Sequence, residues 1–493
     1  MKQTTRAICC LNSLVRATVG DAPHRFVPGL LHKYDLRGIW GETLGPDDAR
    51  AVGRSFATCV RRAGGNLVAV GRDGRLSSPA LETALVAGLR AGGITVRRIG
   101  LAPTPLLYYA VASAEDVHGG IEVTGSHNPK DHNGFKLDLG GQPFFGQDIV
   151  ELGRIAAHAD WGADRGQVFE PGGIKPGKIE QVDLTDSYIA RILHALDGID
   201  RAGLETLRIG WDAGNGATGP LIETLVRQLP GTHVLFFTTV DGHFPNHHPD
   251  PTIAANLVDL IAAVAAGKID IGFAFDGDGD RLGVVDGRGR VLWGDQILQI
   301  LVRDVLVRHP GARIMADVKC SQVLFDLITA LGGEALMAPS GHSLIKSGMK
   351  QTGAILAGEM TGHVFFADDY YGYDDALYAA LRLIAACARL GKSVTALCDA
   401  MPPTCVTPDL RFTIPGRDPF AVVTAITAGL RAQGVAFDAT DGARVNTPDG
   451  WWLLRASNTQ DMLTARAESM TAQGLERLLA DLDARLSQCG VHR

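Results

Sequence analysis

Three aspartates alternate with glycines in the segment DGDGDR, which runs from Asp276 to Arg281. Carboxylates at positions i, i+2 and i+4 repel one another unless a cation lies between them, and the glycines let the backbone fold so that the side chains converge. Mg²⁺ prefers such oxygen ligands and keeps positions for a phosphate oxygen. A calcium loop or a solvated acidic turn is the alternative, although Gly287 stands where a calcium hand has its last glutamate. The segment therefore predicts a Mg²⁺ site built from Asp276, Asp278 and Asp280.

A single serine follows the apolar run Ile121 to Val123, in the segment TGSHNP. The Ser126 hydroxyl is a weak nucleophile that needs activation. If it carried a phosphate, one phosphate oxygen could complete the metal shell, and the metal would withdraw charge from phosphorus during transfer. Lys136, at the end of HNGFK, could donate or accept a proton. The hexapeptide by itself favours a turn or helix-cap serine, so the catalytic interpretation depends on Ser126 meeting the acidic segment.

Two further polar segments could contact a sugar. In GEMTGH, the Glu359 carboxylate could accept two neighbouring hydroxyls, and Thr361 and His363 add polar contacts. GHSLIK offers His342 and Lys346. Taken alone, the first segment is better interpreted as an ordinary polar loop, and a surface turn fits the second equally well.

The segment RASNT, from Arg455 to Thr459, has the composition of a phosphate cradle. Arg455 supplies a planar fork of donors, and Ser457 and Thr459 supply hydroxyls. Asn458 tolerates the left-handed turn that points backbone N–H groups inward. A polar hairpin end is the alternative.

Basic side chains also occur in YDLRG and GRDGR, which contain Arg37, Arg72 and Arg75. Salt bridges to nearby acidic residues are the simplest interpretation of these arginines.

One pattern of elements recurs three times and could position these segments. Segments beginning at Leu67, Leu207 and Ala312 each read as a short apolar strand, a polar turn, a helix and another strand. Such units predict parallel strand pairs with right-handed crossovers. Each unit is followed by a further strand that ends in TGSHNP, DGDGDR or GEMTGH. Because sites in open α/β sheets gather at the carboxyl ends of strands, three related domains could offer one loop each to a common cleft. The tail from about residue 404 lacks the unit and predicts a fourth, α+β domain.

The composition is that of a folded chain of several domains. Its 493 residues favour three or four domains, and 46% of them are hydrophobic. The net charge of −7 gives no indication of nucleic-acid or anionic-membrane binding. Eight scattered cysteines without a C-x-x-C pair favour free thiols in a reducing compartment. No run of apolar residues is long enough for a transmembrane helix, and we expect a cytoplasmic protein without a membrane partner.

The first 28 residues carry Lys2, Arg6 and Arg16 and no acidic residue before Asp21. This faintly resembles a transit peptide. A disordered extension, or a start codon placed too early, is the simpler interpretation.

Together these segments resemble the α-D-phosphohexomutase family, most closely its bacterial phosphomannomutase/phosphoglucomutase branch. The resemblance spans about residues 30–493. It rests on eight motifs in the family's order: YDLRG, GRDGR, TGSHNP, FPNHHPDP (Phe244–Pro251), DGDGDR, GHS, GEMTGH and RASNT.

The resemblance implies a role for each candidate residue. Ser126 would be the phosphoserine and would bind Mg²⁺ together with Asp276, Asp278 and Asp280. The general acid and base groups, or groups that polarise the transfer, would be Arg37, Lys136 and His342, with Arg281 supporting the phosphoserine. The sugar hydroxyls would be held by Glu359, Thr361 and His363, with Tyr34 and Lys319 lining the pocket. The phosphate that does not react would be held by Arg455, Ser457, Asn458 and Thr459.

The implied fold is heart-shaped, with three related mixed-sheet α/β/α domains and a C-terminal α+β domain. We expect an N-terminal extension at 1–28 and domains at 29–184, 185–292, 293–403 and 404–493. The implied reaction moves a phosphoryl group between O1 and O6 of mannose or glucose phosphate, through a hexose 1,6-bisphosphate that also acts as activator, in a monomer or weak homodimer. The loop reads GEM rather than the GEQ associated with glucosamine mutases. A phosphoglucosamine mutase and a non-catalytic phosphosugar-binding protein are the alternatives.

Overall fold

The computed structural model describes residues 22–162, 174–457 and 462–492. Its first domain is built on a six-stranded mixed sheet. The first long helix begins at a proline, receives a backbone cap from Asp48 at 2.8 Å, and ends in two arginines, which suits the helix dipole. The elements of this domain are β1 (Leu36–Ile39), α1 (Pro46–Arg62), β2 (Leu67–Arg72), α2 (Ser78–Ala91), β3 (Thr95–Leu101), α3 (Thr104–Ala112), β4 (Gly119–Val123), β5 (His132–Leu139), α4 (Gln147–His158) and β6 (Ile179–Gln181).

The second domain has a five-stranded sheet whose central strands are apolar and fully buried. Short 3₁₀ helices lie at His194–Leu196, Arg201–Leu204 and Ala254–Leu257. Its other elements are α5 (Thr185–Leu193), β7 (Arg208–Asp212), α6 (Gly219–Val226), β8 (Thr232–Phe236), α7 (Val258–Ala265), β9 (Ile271–Phe275), β10 (Leu282–Val285) and β11 (Val291–Leu292).

The third domain has a four-stranded sheet and contains a long buried helix capped by the side chain of Asp375. Its elements are α8 (Gly294–Arg308), β12 (Arg313–Asp317), α9 (Gln322–Ala330), β13 (Glu334–Ala338), α10 (His342–Thr352), β14 (Leu356–Gly358), β15 (Val364–Phe366), α11 (Ala376–Leu390) and α12 (Val394–Asp399).

The three sheets share one strand pattern, which confirms the predicted relationship of the domains. A central strand pairs in parallel with the strands on both sides, as in β3-β2-β4, β8-β7-β9 and β13-β12-β14. A fourth strand then pairs antiparallel, in β4-β5, β9-β10 and β14-β15. TGSHNP, DGDGDR and GEMTGH occupy the same position in each domain, the loop between the last two strands of the pattern. The repeat therefore presents three equivalent loops.

The fourth domain is an antiparallel sheet covered by two helices, as expected for an α+β domain. Residues 443–456 form the predicted strand pair around a turn, and the predicted closing helix is present. Its elements are β16 (Cys405–Val406), β17 (Leu410–Thr413), α13 (Pro419–Ala432), β18 (Ala443–Thr447), β19 (Gly450–Ala456), β20 (Met462–Ser469) and α14 (Ala472–Gln488).

Apolar packing joins the first three domains more extensively than it joins the fourth. One continuous buried cluster contains Leu107 of α3, Trp211 of β7 and Leu298 of α8. The fourth domain meets the third through the small cluster of Val318, Trp451 and Leu453. The TGSHNP, DGDGDR and GEMTGH loops are thus held in fixed relative positions by a shared apolar core. Within the described ranges, no helix has the length and apolar character needed to cross a bilayer.

Arg444 is one of several polar links between the third and fourth domains. Its guanidinium is buried, lies 3.8 Å from the centre of the Trp451 ring, and donates to the carbonyls of Val318 and Cys320 at 2.7 and 2.9 Å. We expect Arg444→Met to lower the free energy of unfolding of the fourth domain by about 2–4 kcal/mol, because both carbonyls lose a charged donor.

Differential scanning calorimetry together with limited proteolysis measures this effect. Arg431→Met is the control, because Arg431 is exposed on α13, and we expect it to change stability by less than about 0.5 kcal/mol. Equal unfolding profiles for the two variants would contradict the role of Arg444.

Candidate functional site

The loop after β4 holds Ser126 in a constrained conformation. Ser126 has a φ of 49°, in the left-handed region that non-glycine residues rarely occupy, and its side chain is buried. Its N–H donates to Thr124 Oγ1 at 2.8 Å, and the Thr124 hydroxyl donates to Asp73 at 2.9 Å. The Gly125 N–H also donates to Asp73, at 3.2 Å. The polar neighbours of the serine thus fix the direction of its hydroxyl.

The DGDGDR loop of the second domain meets this serine. Ser126 Oγ donates to Asp276 Oδ2 at 3.0 Å, across the boundary between the first and second sheets. The carboxylates of Asp276, Asp278 and Asp280 are fully buried, and one oxygen from each lies within 4.8 Å of the others. The N–H groups of Asp280 and Arg281 donate to Asp276 Oδ1 at 3.0 and 3.1 Å, which closes the loop.

Lys136 partly neutralises this acidic group. Its Nζ donates to Asp278 Oδ2 at 2.7 Å and to Asp280 Oδ2. Burial acts to lower the pKa of Lys136, but the attraction of the aspartates outweighs it and raises the pKa above its usual value. Thr104, a residue that the sequence analysis missed, donates to Asp278 Oδ2 at 2.5 Å. Lys136 therefore stays protonated and faces the aspartates.

The donor set fits a divalent cation. Burial, and then the charges of Asp280 and Asp278, raise the pKa of Asp276 well above its usual value. In the described part of the chain, Asp278 Oδ1 and Asp280 Oδ1 are buried and have no hydrogen-bond partner. Three carboxylates against one lysine leave an excess of negative charge that a Mg²⁺-sized ion with oxygen ligands would balance.

A polar cleft of about 470 Å³ lies beside this acidic group. Segments from the first, second, third and fourth domains line it, and they include most of the residues predicted to bind substrate. Ser126 and the aspartates lie behind the lining, next to His127 and Arg281. The predicted residues that line the cleft are Tyr34, Arg37, Arg281, Lys319, His342, Glu359, Thr361, His363, Arg455 and Ser457.

Glu359 is positioned to accept hydroxyl groups on the third-domain side of the cleft. Its Oε1 accepts the Gly341 N–H at 2.7 Å, and burial raises the pKa of its carboxyl group. Lys319 lies 3.8 Å from Asp317, and the Tyr34 hydroxyl donates to the carbonyl of Ser340 at 3.1 Å.

The two predicted histidines share a carboxylate that the sequence analysis did not identify. Arg281 Nε donates to His363 Nε2 at 2.9 Å, so Nδ1 carries the imidazole hydrogen, and Nδ1 lies 3.0 Å from Asp374 Oδ2. His342 Nδ1 lies 3.8 Å from the same oxygen, and Lys346 is 3.2 Å from Asp374 Oδ1. Asp374 follows a strand in a segment without a recognisable motif, and its role is visible only in three dimensions.

His342 is a neutral imidazole that faces the cleft. Burial, together with the positive charge of Lys346, lowers the pKa of His342 well below its usual value. Within the described residues, neither ring nitrogen has a hydrogen-bond partner. Both nitrogens are also buried, and Nδ1 lies 3.8 Å from Asp374 Oδ2.

Two arginines of the fourth domain line the cleft at the same level of the sheet. Arg455 on β19 and Arg411 on β17 both pair with Thr464 of β20, from opposite sides. Arg455 Nε donates to Asp441 at 2.8 Å. Arg411 was missed because a single arginine in a short strand has no distinguishing pattern. The predicted phosphate contacts Asn458 and Thr459 lie outside the described residues.

The arginines of the first domain have unequal roles. Arg37 lines the cleft; it donates to Asp35 at 2.7 Å and to the side chain of Asn128, in the serine loop, at 3.0 Å. Arg72 pairs with Glu82 at 3.2 Å, as the salt-bridge interpretation expects. Arg75 pairs with Asp73 and also binds the serine loop itself.

Family profiles match the chain in four consecutive segments. They are described as phosphoglucomutase/phosphomannomutase alpha/beta/alpha domain I over residues 29–160, domain II over 186–289, domain III over 293–405 and the C-terminal domain over 417–485.

Other proteins are similar to this chain over nearly its full length. A phosphomannomutase/phosphoglucomutase of Pseudomonas aeruginosa is 40% identical over 91% of this chain and 93% of its own. A phosphoglucomutase of Neisseria gonorrhoeae is 41% identical over 90% of this chain and 94% of its own. The crystal structure of a phosphoglucomutase/phosphomannomutase family protein from Burkholderia thailandensis superposes with a TM-score of 0.85 at 41% identity, covering 93% of this chain and 97% of its own.

The acidic group predicts a measurable cation site. We expect Asp276→Asn to weaken the binding of Mg²⁺ or Mn²⁺ by at least about tenfold in isothermal titration calorimetry, because one charged ligand is lost at unchanged volume.

Asp270→Asn is the matched control. Asp270 directly precedes β9, is partly exposed and pairs with Arg208 instead of facing the acidic group. Equal cation affinity in the two variants would exclude Asp276 as a ligand.

Proposed function

We propose that this chain, which belongs to the phosphoglucomutase/phosphomannomutase family, moves a phosphoryl group reversibly between O1 and O6 of a hexose phosphate. The observation that carries the proposal is the contact of 3.0 Å between Ser126 Oγ and Asp276 Oδ2. It joins a hydroxyl that could carry phosphate to a buried group of three carboxylates, beside a cleft lined by Glu359, Thr361 and Arg455, which could bind sugar hydroxyls and a phosphate.

The reaction has two transfers through one serine. Phosphoserine 126 donates its phosphoryl group to the free hydroxyl of the hexose monophosphate, which gives a 1,6-bisphosphate and leaves the serine hydroxyl. The bisphosphate then turns end over end in the cleft. Ser126 takes the phosphoryl group from the other end, so that the isomeric monophosphate leaves and the phosphoserine is restored.

Residues of this chain would supply orientation and charge for both transfers. Asp276, Asp278 and Asp280 would hold Mg²⁺, which when bound supplies positive charge next to the phosphoryl oxygens. Lys136 offsets part of the negative charge of the aspartates, and Arg281 lines the cleft wall beside the serine. Arg37 and His342 line the cleft, and with Lys136 they would polarise the transfer or exchange a proton with the sugar hydroxyl. Arg37 can only polarise it, because burial acts to lower the pKa of its guanidinium but the charge of Asp35 outweighs burial and raises the pKa.

The same side chains must accept the sugar in both orientations. Glu359, with Thr361 and His363, would bind hydroxyls that lie midway between the two ends of the hexose. Arg455 and Ser457, with Asn458 and Thr459, would hold the phosphate that is not reacting, and Arg411 adds a second guanidinium there. Tyr34 and Lys319 complete the wall.

Closure of the fourth domain would protect the phosphoserine from water. That domain contacts the third through a small apolar cluster and through polar contacts that include those of Arg444 and Arg466, whereas the other three share one continuous apolar core. A movement at this junction would bring Arg455 and Arg411 onto the substrate. We further propose a cytoplasmic enzyme that works as a monomer or weak homodimer.

Replacement of the serine tests the reaction. We expect wild-type protein to carry an adduct of about 80 Da on intact-protein mass spectrometry, and Ser126→Ala to lack it. Ser126→Ala should also lower the kcat for conversion of glucose 1-phosphate to glucose 6-phosphate about a thousandfold, because the phosphate carrier is lost.

Ser113→Ala, an exposed serine at the end of α3, is the control and should keep wild-type activity. Steady release of inorganic phosphate without isomerisation would indicate a phosphatase instead. Tight binding of hexose phosphate without any turnover would indicate a binding protein.

The choice of sugar requires its own measurement. We expect mannose 1-phosphate and glucose 1-phosphate to be converted with kcat/KM values at least about tenfold above that of glucosamine 1-phosphate, because the loop reads GEM. The reverse ranking would identify a phosphoglucosamine mutase on the same site.

A further inference from the structure

The guanidinium of Arg75 directs its donors into the loop that carries Ser126. Its side chain is fully buried, and Nε donates to Asp73 Oδ2 at 3.2 Å. The Nη atoms donate to four backbone carbonyls, so that all five N–H groups of the side chain are used. The carbonyl acceptors are those of Ser126 at 2.7 Å, Asn128 at 2.7 Å, Pro129 at 2.5 Å and His132 at 2.9 Å.

These carbonyls converge because the loop is wound around the guanidinium. Oxygens that point at one place repel one another, and the left-handed φ of Ser126 adds strain, so the loop needs a cationic donor at its centre. The packing leaves little room, since a Cβ on Gly125 would lie 2.5 Å from Arg75 Nε. Arg75 therefore supplies the hydrogen-bond donors around which the backbone of the serine loop folds.

A segment of the second domain covers this guanidinium. The Phe244 ring lies 5.3 Å from Arg75 Cζ, at the start of FPNHHPDP, a motif without a role in the mechanism above. Gly242 packs against the turn at Gly74, where a Cβ would lie 2.7 Å from the Gly74 carbonyl oxygen.

The same segment contacts the DGDGDR loop at its other end. A Cβ on Gly277 would lie 3.4 Å from Pro249 Cγ and 2.6 Å from the carbonyl oxygen of Ser126. One continuous stretch, from Phe244 to Pro249, thus contacts both Arg75 and the DGDGDR loop.

We propose that Arg75 is a positioning residue for phosphoryl transfer, which holds the Ser126 hydroxyl against the DGDGDR loop. Phe244, from the second domain, packs on Arg75 and thereby maintains the relative positions of the two loops. The proposal rests on the proposed role of Ser126 as phosphate carrier. It differs from the salt-bridge interpretation of Arg75, in which the pair with Asp73 is the whole function.

Arg75→Lys separates the two interpretations. A lysine keeps the charge next to Asp73, but its single ammonium group has too few donors for the four carbonyls. We expect kcat to fall at least about tenfold while the KM for glucose 1-phosphate changes less than about twofold, because the groups that bind the sugar are untouched. Hydrogen exchange of the peptide 124–132 should accelerate, with the rest of the first domain unchanged.

Arg98→Lys is the matched control, because the Arg98 guanidinium donates to buried Glu82 in the same domain instead of to the carbonyls of the serine loop. We expect it to leave kcat and the exchange of peptide 124–132 at wild-type values. If Arg75→Lys also does so, the salt-bridge interpretation holds and the proposal is overturned.

Phe244→Leu decides the outcome if Arg75→Lys does not fold. It keeps apolar bulk, removes the ring over the guanidinium, and should lower kcat about two- to fivefold without a change in KM. Wild-type kcat in Phe244→Leu would overturn the role of Phe244 and, in the absence of a folded Arg75→Lys, the proposal as a whole.

Ser126→Ala keeps the two proposals distinguishable. Loss of turnover in Ser126→Ala combined with wild-type kcat in folded Arg75→Lys would remove the positioning role alone. Turnover in Ser126→Ala would remove the phosphate carrier and with it the proposed mechanism.

Discussion

Three buried carboxylates that face one hydroxyl are the constraint on which the rest of the structure depends. Asp276, Asp278 and Asp280 are removed from water, where each negative charge costs several kcal/mol unless it is compensated. Lys136 compensates part of this charge, and Thr104 and the loop N–H groups contribute hydrogen bonds. A bound cation would balance the remaining excess, and in the proposed mechanism a phosphate on Ser126 would share that cation.

The repeated domain shows how such a group can be assembled from distant parts of the chain. In each of the first three sheets the loop between the final parallel strand and its antiparallel neighbour carries the polar motif. A shared apolar core holds the sheets together, so the positions of the loops are set by packing and not by the loops themselves. Charges that would repel one another in isolation are thereby kept close.

The fourth domain differs from the other three in how it is attached to them. Its apolar contact with the third domain is a small cluster, supplemented by hydrogen bonds of Arg444 and Arg466, and it contributes Arg455 and Arg411 to the cleft wall. The proposed reorientation of a bisphosphate in the cleft would be helped by a wall that can move while Ser126 and the aspartates stay fixed. The difference between three domains that share one apolar core and a fourth domain with a small apolar contact follows from where the apolar surface is buried.

Local pattern identified some of the residues of the site and missed others for a clear reason. Ser126, Asp276 and Glu359 stand in short segments whose combined residue types and spacing are distinctive. Asp374, Arg411 and Thr104 each stand in ordinary sequence, and their importance comes from side chains that only the folding of the chain brings close to them. The salt-bridge interpretation of Arg75 is correct for its pair with Asp73, but the four carbonyls that Arg75 binds follow from the fold of a loop more than fifty residues away.

The amino-acid sequence by itself determined the class of fold, the repetition of the domain and the chemical groups available, because apolar periodicity and residue type act over short distances along the chain. Only the tertiary structure decided that Ser126 meets Asp276, that His342 and His363 lie against the same Asp374 carboxylate, and that Arg75 supports the serine loop. Those contacts join residues separated by tens to hundreds of positions, and their geometry is set by how whole sheets pack on a common core.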